Sequence, residues 1–265
     1  MPIYVSYLPV RWFTRMATLA GVVVAAGCAQ FTPGTPGAAL DRERLSHTVS
    51  LDDAAQLRAL VEARASGVND VIPGIGYAAT PLITVAARQA SLNVLRYLIA
   101  ANADLNARTP DNDTALMLAS FFAQEDRDRG TFSHERYDQA VRLLVEAGAD
   151  LENYGNAYTP LSYAAYSGRN STVRYLIDKG ARVNADANVQ QRTIGVNTPL
   201  MMATMQGHQG AVRQLLRAGA DARVRVESGM SAADFARKYQ QTHLLPMLGC
   251  AENLGPGELF SKRCE

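Results

Sequence analysis

Residues 159–181 read TPLSYAAYSGRNSTVRYLIDKGA, and this stretch decides the fold. Threonine is favoured immediately before a helix and proline fits the first helical position, so Thr159 and Pro160 predict a helix start. Gly168 can supply the left-handed backbone of a tight turn, and Gly180 can end a second helix. The stretch therefore predicts two short antiparallel helices joined by a turn.

The same pattern recurs along the chain, which indicates a repeat protein. The helix-start motif occurs five times, at spacings of 34, 45, 39 and 33 residues. The starts are Thr80-Pro81-Leu82, Thr114-Ala115-Leu116, Thr159-Pro160-Leu161, Thr198-Pro199-Leu200 and Ser231-Ala232-Ala233; the pairs that follow the second helices are Asn102-Ala103, Gly148-Ala149, Gly180-Ala181 and Gly219-Ala220. No single unit would be stable alone, so neighbouring units must stack.

These motifs resemble those of ankyrin repeats, whose period is 33 residues. The resemblance covers about residues 51–248 and implies an all-α solenoid of helix-turn-helix units with short β-hairpin fingers. Leu57, Leu60 and Val61 are typical of the second helix of a degenerate first repeat, and residues 231–248 resemble a terminal cap. The histidine that usually follows the motif is replaced by Ile83, Met117, Ser162 and Met201.

Two of the spacings exceed the ankyrin period, which indicates inserted loops. The first insertion, residues 121–137, is expected between the two helices of its repeat, and the second, residues 185–197, is expected to enlarge a hairpin finger. Long loops of this kind are often functional or disordered. The predicted organisation is a signal peptide at 1–27, a flexible tether at 28–40, the repeat domain at 41–248 and a tail at 249–265.

The N-terminus resembles a bacterial lipoprotein signal. Arg11 and Arg15 precede a largely apolar run, residues 16–27, that is too short to span a bilayer stably. Cys28 follows small residues, as at a site where the signal is cleaved and the cysteine is acylated. The alternatives are an ordinary secretory signal with a chance cysteine, and a short N-terminal anchor. The lipoprotein interpretation implies a lipid-anchored periplasmic protein, and Ala29 favours the outer membrane of a Gram-negative cell.

Charge and cysteine content narrow the class of protein further. The chain carries 26 basic and 25 acidic side chains, a formal net charge of +1, which argues against a nucleic-acid partner. In an exported protein Cys250 and Cys264 are expected to pair, closing a loop of about 15 residues and pinning the tail to the last helices. The alternative is two unpaired thiols near a frayed end.

The resemblance also implies where a partner binds, because ankyrin-repeat proteins usually hold partners on the concave face formed by fingers and first helices. Five positions per repeat point outward there: four, three and one before the motif Thr or Ser, and seven and eight after it. Aromatic residues and methionine, which favour interfaces, are concentrated at these positions. The predicted partner-binding residues are Tyr77, Phe121, Phe122, Tyr158, Tyr166, Met205, Met230 and Tyr239, with Gln190 and Arg192 of the enlarged finger. A one-residue alignment slip would instead place some of them in the core, and the finger could be a solvated loop.

The chain lacks the residue patterns of an enzyme or a metal site. It has four widely separated histidines: His47, His134, His208 and His243. His208 stands where ankyrin repeats commonly carry a structural histidine. Residues 74–79 match a dinucleotide fingerprint but lack a βαβ unit, so we interpret them as a hairpin turn. Glu125, Asp126 and Asp128 are interspersed with arginines, which is typical of a solvated loop. We expect no catalytic residues, no metal and no cofactor.

The most favoured function is a membrane-tethered module that binds another protein through its concave face, with no small-molecule substrate. A narrower version is an immunity or inhibitor protein that neutralises an exported toxin or envelope enzyme by occluding its active site. The other two classes are an enzyme with unrecognised chemistry and a structural spacer of the envelope. Clustered carboxylates with raised pKa values would favour the enzyme, and a face without aromatic residues would favour the spacer.

Overall fold

The computed structural model describes residues 36–63, 67–74, 77–121, 134–152, 158–184, 198–226, 229–255 and 258–264. Within these ranges no helix is both long enough and apolar enough to cross a membrane. Several features singled out in the sequence lie outside the described residues: the signal segment with Cys28, the loop residues Glu125, Asp126 and Asp128, and Phe122, Gln190 and Arg192 of the predicted interface.

Pairs of antiparallel helices follow one another along the chain. The pairs are α1 (Pro36–Ser50) with α2 (Ala54–Glu62), α3 (Leu82–Gln89) with α4 (Leu92–Ala100), α5 (Ala115–Ser120) with α6 (His134–Glu146), α7 (Pro160–Tyr166) with α8 (Asn170–Asp178), α9 (Pro199–Met205) with α10 (Gln209–Arg217), and α11 (Ala232–Lys238) with α12 (Leu245–Glu252). A 3₁₀ turn, Thr242–Leu244, precedes α12, and a short α13 (Phe260–Arg263) ends the described chain.

The pairs stack side by side into two layers of helices. The first helices α1, α3, α5, α7, α9 and α11 contact one another in sequence, and α2, α4, α6, α8 and α10 do the same. Leu116, Leu161 and Leu200 of the first layer and Val173 and Leu176 of the second are buried in the core between repeats. The chain is therefore an all-α solenoid of helix-turn-helix units, as the repeated motif predicts.

The motif hydroxyls begin four of the first helices as predicted. Thr114, Thr159, Thr198 and Ser231 each accept a hydrogen bond from the backbone N–H three residues later. At Ser231 the bond is reciprocal, because the Asp234 side chain accepts from the Ser231 N–H. These bonds satisfy backbone donors that the first turn of a helix leaves free.

Thr80 differs from the other motif residues, and its predicted role as a helix cap is wrong. It lies in β2 (Tyr77–Pro81), which pairs with β1 (Val71–Gly74), and it stands opposite Ile72. The hairpin holds Pro81 in the strand as well, so α3 begins one residue later than the motif predicts. Gly74 ends β1 and residues 77–79 lie in β2, so the described part of residues 74–79 belongs to a β-hairpin, in agreement with the interpretation from the sequence.

The turns have the predicted backbone conformations. Gly168 and Gly207 have φ values of 66° and 73° between the helices of their pairs. Asn102, Gly148, Gly180 and Gly219, which follow second helices, have φ values of 56°, 94°, 94° and 89°. Glycine adopts this region without strain, and asparagine does so more easily than most residues. Asp52, Ala90 and Gln240 adopt it as well in the turns after α1, α3 and α11, with φ values of 56°, 51° and 60°.

The first repeat extends farther towards the N-terminus than predicted. Leu57 and Leu60 are buried on α2, as expected of a degenerate repeat, and Leu45 and Val49 of α1 are buried with them. Because α1 begins at Pro36, residues 36–40 are helical, and the tether prediction is wrong for them. Proline is tolerated in the first turn of a helix, and α1 also packs against α3.

Side chains at the base of the fingers connect neighbouring repeats in a ladder that the motif analysis does not include. The amide oxygen of an asparagine in one repeat accepts from the backbone N–H of an aspartate in the next, in the pairs Asn69–Asp104 (2.8 Å), Asn106–Asp150 (2.9 Å) and Asn184–Asp221 (2.8 Å). Each bond sets the register of one repeat on the next, in addition to apolar contact.

The tail is joined to the solenoid by a covalent bond and by packing. Cys250 and Cys264 form the disulfide expected from the sequence, with their Cα atoms 5.8 Å apart. Phe260 is buried, and its helix α13 contacts α10. The tail thus closes one end of the repeat stack.

Candidate protein-binding surface

The residues of the predicted concave face adjoin the ends of the first helices. The half-buried side chains of this set are Phe121, Tyr158, Tyr166, Met230 and Tyr239. For Tyr77 the backbone lies in β2, and the side chain lies outside the described part of the structure. Half-burial leaves part of each large apolar side chain at the surface, where it can contact a partner.

The prediction that Met205 lies on the partner-binding face is wrong, because its side chain is 5% exposed and belongs to the core. Its helix α9 lies between α7 and α11, and every residue of α9 is buried. Met205 follows Thr198 by seven residues. At the same count from their motif threonines Phe121 and Tyr166 are half-buried and Ala87 is buried. The burial of Met205 therefore depends on the helices that enclose α9, not on its position in the repeat.

Five aromatic side chains form what we call the aromatic surface: Phe121, Tyr158, Tyr163, Tyr166 and Tyr239. The Phe121 ring stacks on Tyr166 with a centroid distance of 6.1 Å and meets Tyr163 edge-on at 5.5 Å. Tyr158 meets Tyr163 edge-on at 6.2 Å. These distances and angles are those of favourable aromatic pairs. The rings therefore hold one another in place across two repeats.

Tyr163 stands at the centre of the aromatic surface, although the positions counted from the motif do not include it. Its hydroxyl donates to Asp113 Oδ1 at 2.9 Å, and Asp113 is buried in the preceding finger. Burial raises the pKa of Tyr163 well above its ordinary value, and the charge and hydrogen bond of Asp113 raise it further. Tyr163 follows the motif Thr by four residues rather than seven or eight, and its partner is 50 residues away in sequence, so no local signal reveals it.

Tyr239 extends the aromatic surface to the terminal cap. Burial raises the pKa of Tyr166, and the neighbouring Tyr239 phenol raises it further. Tyr239 stacks on Phe235 of its own helix at 6.0 Å, and Lys238 Nζ lies 5.6 Å from its ring centroid. The surface thus bears a cation at its cap end.

Behind the aromatic surface, a buried arginine connects α5, α6 and the turn before α8. Arg169, in the turn before α8, forms an ion pair with Asp138 of α6, and its Nη1 donates to the Ala119 carbonyl at 2.9 Å. Ser171 and Thr172 each donate to Asp138 at 2.7 Å. Burial tends to raise the pKa of Asp138, but Arg169 and the two hydroxyls outweigh it and lower that pKa.

His208 and Arg136 make similar contacts between repeats. His208 Nε2 lies 3.0 Å from the Tyr166 carbonyl oxygen, and the ring occupies space that a side chain at position 168 would need. Arg136 donates to the Ala90 carbonyl at 3.0 Å and pairs with Asp52. The arrangement agrees with the structural role expected for His208.

The described residues contain no group of three or more His, Cys, Asp or Glu side chains that could hold a metal ion. The cleft lined by Asp138, Val141, Arg142, Ser171, Thr172 and Tyr175 is too small to hold a water molecule and belongs to the Arg169 network. The half-buried rings of the aromatic surface keep part of their area at the surface, and contact with another molecule is the chemistry that they support best.

Sequence comparisons connect the repeats to known proteins. Profiles described as ankyrin repeats match residues 131–187 and 161–217, and a profile of the single ankyrin repeat matches residues 79–110. Palmitoyltransferase Hip14 of Drosophila melanogaster is 42% identical over 92 residues, which are 34% of this chain and 14% of that protein. Ankyrin repeat and SAM domain-containing protein 6 of Rattus norvegicus is 39% identical over 98 residues, 36% of this chain and 10% of that protein.

Palmitoyltransferase ZDHHC17 of Homo sapiens is 40% identical over 87 residues, 31% of this chain and 12% of that protein. The chain thus spans about a seventh or less of the length of these relatives. The matches to palmitoyltransferases lie in their ankyrin regions, and ankyrin repeats are typically non-catalytic interaction domains. With the profiles matching the stacked helix pairs, we conclude that this chain contains ankyrin repeats at residues 79–110 and 131–217.

Proposed function

We propose that this chain is a protein-binding module whose partner rests on the aromatic surface. The observation that carries the proposal is a chain of ring contacts, in which Phe121 and Tyr158 each contact Tyr163 and Phe121 also stacks on Tyr166. Half-buried rings that hold one another in place present apolar area without further ordering. Tyrosines dominate the surface, and they combine an apolar ring with a hydroxyl that can bond to a partner.

We also propose that the module is tethered to a membrane through acylated Cys28, in the periplasm and at the outer membrane of a Gram-negative cell. The support is the order of Arg11, Arg15, the apolar residues 16–27 and Cys28. Tethering would confine the search for a partner to a layer near the membrane and raise the effective concentration of the module there.

A narrower form of the proposal is an immunity or inhibitor protein that occludes the active site of an exported toxin or envelope enzyme. It would use the same aromatic surface and the same tether. It differs in its consequence, since the purified partner would lose activity when the module is added. A partner that stays fully active in the complex would instead indicate a scaffold.

Affinity purification of the full chain from cell extract tests the binding proposal. We expect one stoichiometric partner that is lost from the Tyr158→Ala/Tyr166→Ala variant. The matched control is Tyr97→Ala/Tyr175→Ala, which removes two half-buried tyrosines from the second helices α4 and α8. Retention of the partner by the first variant, or equal loss from both, would contradict a site on the aromatic surface.

Cell fractionation tests the tether. We expect the chain to sediment with membranes, to enter the detergent phase, and to carry an acyl modification at Cys28 by mass spectrometry. Cys28→Ser should move it to the soluble fraction. A chain that remains in the membrane fraction after this substitution would overturn the lipid anchor and favour the short N-terminal anchor.

A further inference from the structure

The second helices carry a row of arginines on their outer face. An arginine is the fifth residue of α2, α4, α8 and α10, and in α4, α6, α8 and α10 it precedes the positive-φ residue of the following turn by six positions. All five of these side chains are exposed. We call them the arginine row: Arg58, Arg96, Arg142, Arg174 and Arg213.

The arginine row runs along the solenoid because the second helices stack side by side. The helices α2, α4, α6, α8 and α10 contact one another in sequence. Packed helices lie about 8 to 10 Å apart, so five of them place the arginines over a length of about 40 Å. An array of this length fits an extended anionic surface better than a single small anion.

Tyrosines of the same helices hold two arginines of the row in place. The Arg58 guanidinium lies 5.5 Å from the ring centroid of Tyr97 in the next repeat, and that of Arg142 lies 4.6 Å from the ring centroid of Tyr175. Lys179 Nζ adds a second cation 5.5 Å from the Tyr175 ring. A guanidinium that contacts a ring through its face can still donate hydrogen bonds in its own plane.

The carboxylates of these helices do not neutralise the row by direct contact. Acidic residues follow the arginines of α2, α6 and α8 by four positions, but within the described ranges none forms an ion pair with them. Glu146 instead accepts from the Tyr175 hydroxyl at 3.5 Å. By contrast, Arg182, Arg223 and Arg237, in the fingers and the cap, are all ion-paired.

The outer face of the second helices is also positive in sum. Exposed basic side chains of α2, α4, α6, α8 and α10, with the Lys179 that follows α8, outnumber the exposed acidic ones by seven to four. The whole chain has a formal net charge of only +1. The basic set is Arg58, Arg96, Arg142, Arg174, Lys179, Arg213 and Arg217, and the acidic set is Glu62, Glu135, Glu146 and Asp178.

We propose that the arginine row lies against the anionic phospholipid headgroups of a membrane. Arginine binds phosphate through two parallel hydrogen bonds, and each basic residue near an anionic lipid surface adds to the attraction. Tyrosines such as Tyr97 and Tyr175 suit a boundary between water and apolar material. A solenoid that lies on its second layer keeps the aromatic surface of the first layer turned away from the lipid, where a partner can reach it.

The inference rests on the tether of the proposed function, which brings the row to the lipid. Cys28 precedes the first residue of α1, Pro36, by eight positions. Eight residues reach at most about 30 Å even when fully extended. Because attraction between exposed charges extends only about 8 Å at physiological salt, a short tether favours contact between the row and the headgroups.

Vesicle sedimentation with the full-length Cys28→Ser chain tests the inference without the lipid anchor. The probes are vesicles of phosphatidylcholine alone and vesicles that also contain phosphatidylglycerol, which is anionic. We expect binding to the anionic vesicles to be about tenfold tighter or more, and to weaken as salt is added. The apolar N-terminal run is present in every variant, so it contributes equally throughout.

The substitution Arg58→Gln/Arg96→Gln/Arg142→Gln/Arg174→Gln should lower the affinity for anionic vesicles about tenfold. The matched control removes the same charge from exposed arginines of α1, the last finger and α11: Arg42→Gln/Arg44→Gln/Arg223→Gln/Arg237→Gln. It should change the affinity less than about threefold. Arg96→Gln/Arg174→Gln leaves both ring contacts intact and should show a smaller loss in the same direction, which separates loss of charge from loss of fold.

Equal binding to the two kinds of vesicle, or equal losses from the two four-site variants, would overturn the inference. An oligonucleotide that binds more tightly than the anionic vesicles through the same arginines would also overturn it, because the row would then serve a soluble polyanion. These outcomes leave the aromatic surface and the acylation of Cys28 untouched. If fractionation instead rejects the acylation while Cys28→Ser still binds anionic vesicles through the row, the tether fails and the lipid-binding face stands.

Discussion

The repeat at residues 159–181 has an aromatic side and a polar side, built from residues that are adjacent in sequence. The two sides differ in how much of their contact is made within the chain. On one side, Tyr163 and Tyr166 of α7 contact other rings and keep part of their area at the surface. On the other, the Arg169 side chain is 1% exposed and bonds to Asp138 and to the Ala119 carbonyl. The aromatic side retains contact area for another molecule, and the polar side uses its bonding capacity within the chain.

This difference predicts that stability and binding can be changed separately. Removing one partner of a buried ion pair leaves a charge without compensation, which is costly even where the intact pair contributes little net stability. Partly exposed aromatic residues contribute less to stability, and they often dominate the free energy of an interface. Substitutions on the polar side should therefore lower stability more than binding. Substitutions on the aromatic side should lower binding more than stability.

The largest effect on stability is expected for Arg169→Met. It removes the ion pair with Asp138 and the bond to the Ala119 carbonyl, and we expect the free energy of unfolding to fall by about 3 to 5 kcal/mol. Urea denaturation followed by circular dichroism measures the change. Arg174→Met, which removes an exposed arginine of α8, should change it by less than about 0.5 kcal/mol. Equal effects of the two substitutions would show that the buried network does not set the stability of the repeat.

The second effect in size concerns two turns, one within a repeat at Gly207 and one after a second helix at Gly148. Gly207→Ala places a Cβ atom against the side chain of Gln241 at a φ of 73°, and we expect a loss of about 2 kcal/mol. Gly148→Ala meets no atom within 4 Å at a φ of 94°, so only the backbone conformation opposes it, with a loss of about 1 kcal/mol. The same urea titrations compare them, and a larger loss at Gly148 would contradict a steric contribution from Gln241.

A smaller effect is expected from acid. Arg169, Ser171 and Thr172 lower the pKa of Asp138 below its ordinary value of 3.8 against the opposing effect of burial. The unfolded chain therefore binds this proton more readily, so the stabilisation is present above about pH 4 and is lost as the pH falls through the folded pKa. Urea titrations between pH 6 and pH 3 should show a fall in unfolding free energy.

Arg169→Met is the control for the acid effect, because without the guanidinium the pKa of Asp138 should return towards its ordinary value. The decline with falling pH should then be shallower than in the wild type. Asp221 and Asp234, whose pKa values are lowered by hydrogen bonds with Arg223 and with the Ser231 backbone, leave a common slope in both proteins. Parallel curves would show that Asp138 does not contribute to the acid dependence.

The smallest effect on stability is expected for Tyr166→Ala. This side chain is already partly exposed, and we expect a loss of about 1 kcal/mol, mainly from its stacking on Phe121. Binding should fall far more, by about tenfold or greater, if the aromatic surface is the interface. Thermal melting and titration calorimetry with an isolated partner measure the two quantities. A stability loss as large as that of Arg169→Met would place Tyr166 in the core instead.

Much of the fold follows from the sequence because its signals are local. The hydroxyl caps at Thr114, Thr159 and Thr198 and the positive φ values at Gly168 and Gly207 depend on residues within one or two turns. Thr80 does not cap a helix, because its strand pairing with Ile72 competes with helix initiation. Strand pairing within the hairpin thus overrides a helix-start signal that is correct in the other repeats.

The candidate site was predicted less completely, because exposure depends on neighbouring helices. Counting from the motif placed Tyr158 and Tyr166 at the surface, and the structure has both half-buried, but the count also placed the buried Met205 there and did not include Tyr163. Counting positions in the same way for every repeat cannot show that α9 is enclosed between α7 and α11. The bond from Tyr163 to Asp113 joins residues from different repeats, and its register arises only when the repeats stack.

By itself, the sequence determines the class of the solenoid, the number of helix-start motifs and their turns, because capping and periodicity act over a few residues. Only the tertiary structure decides which rings share one surface and which arginine is buried. Those properties depend on distances between side chains 30 to 50 residues apart, and such distances are set by the packing of one repeat on the next.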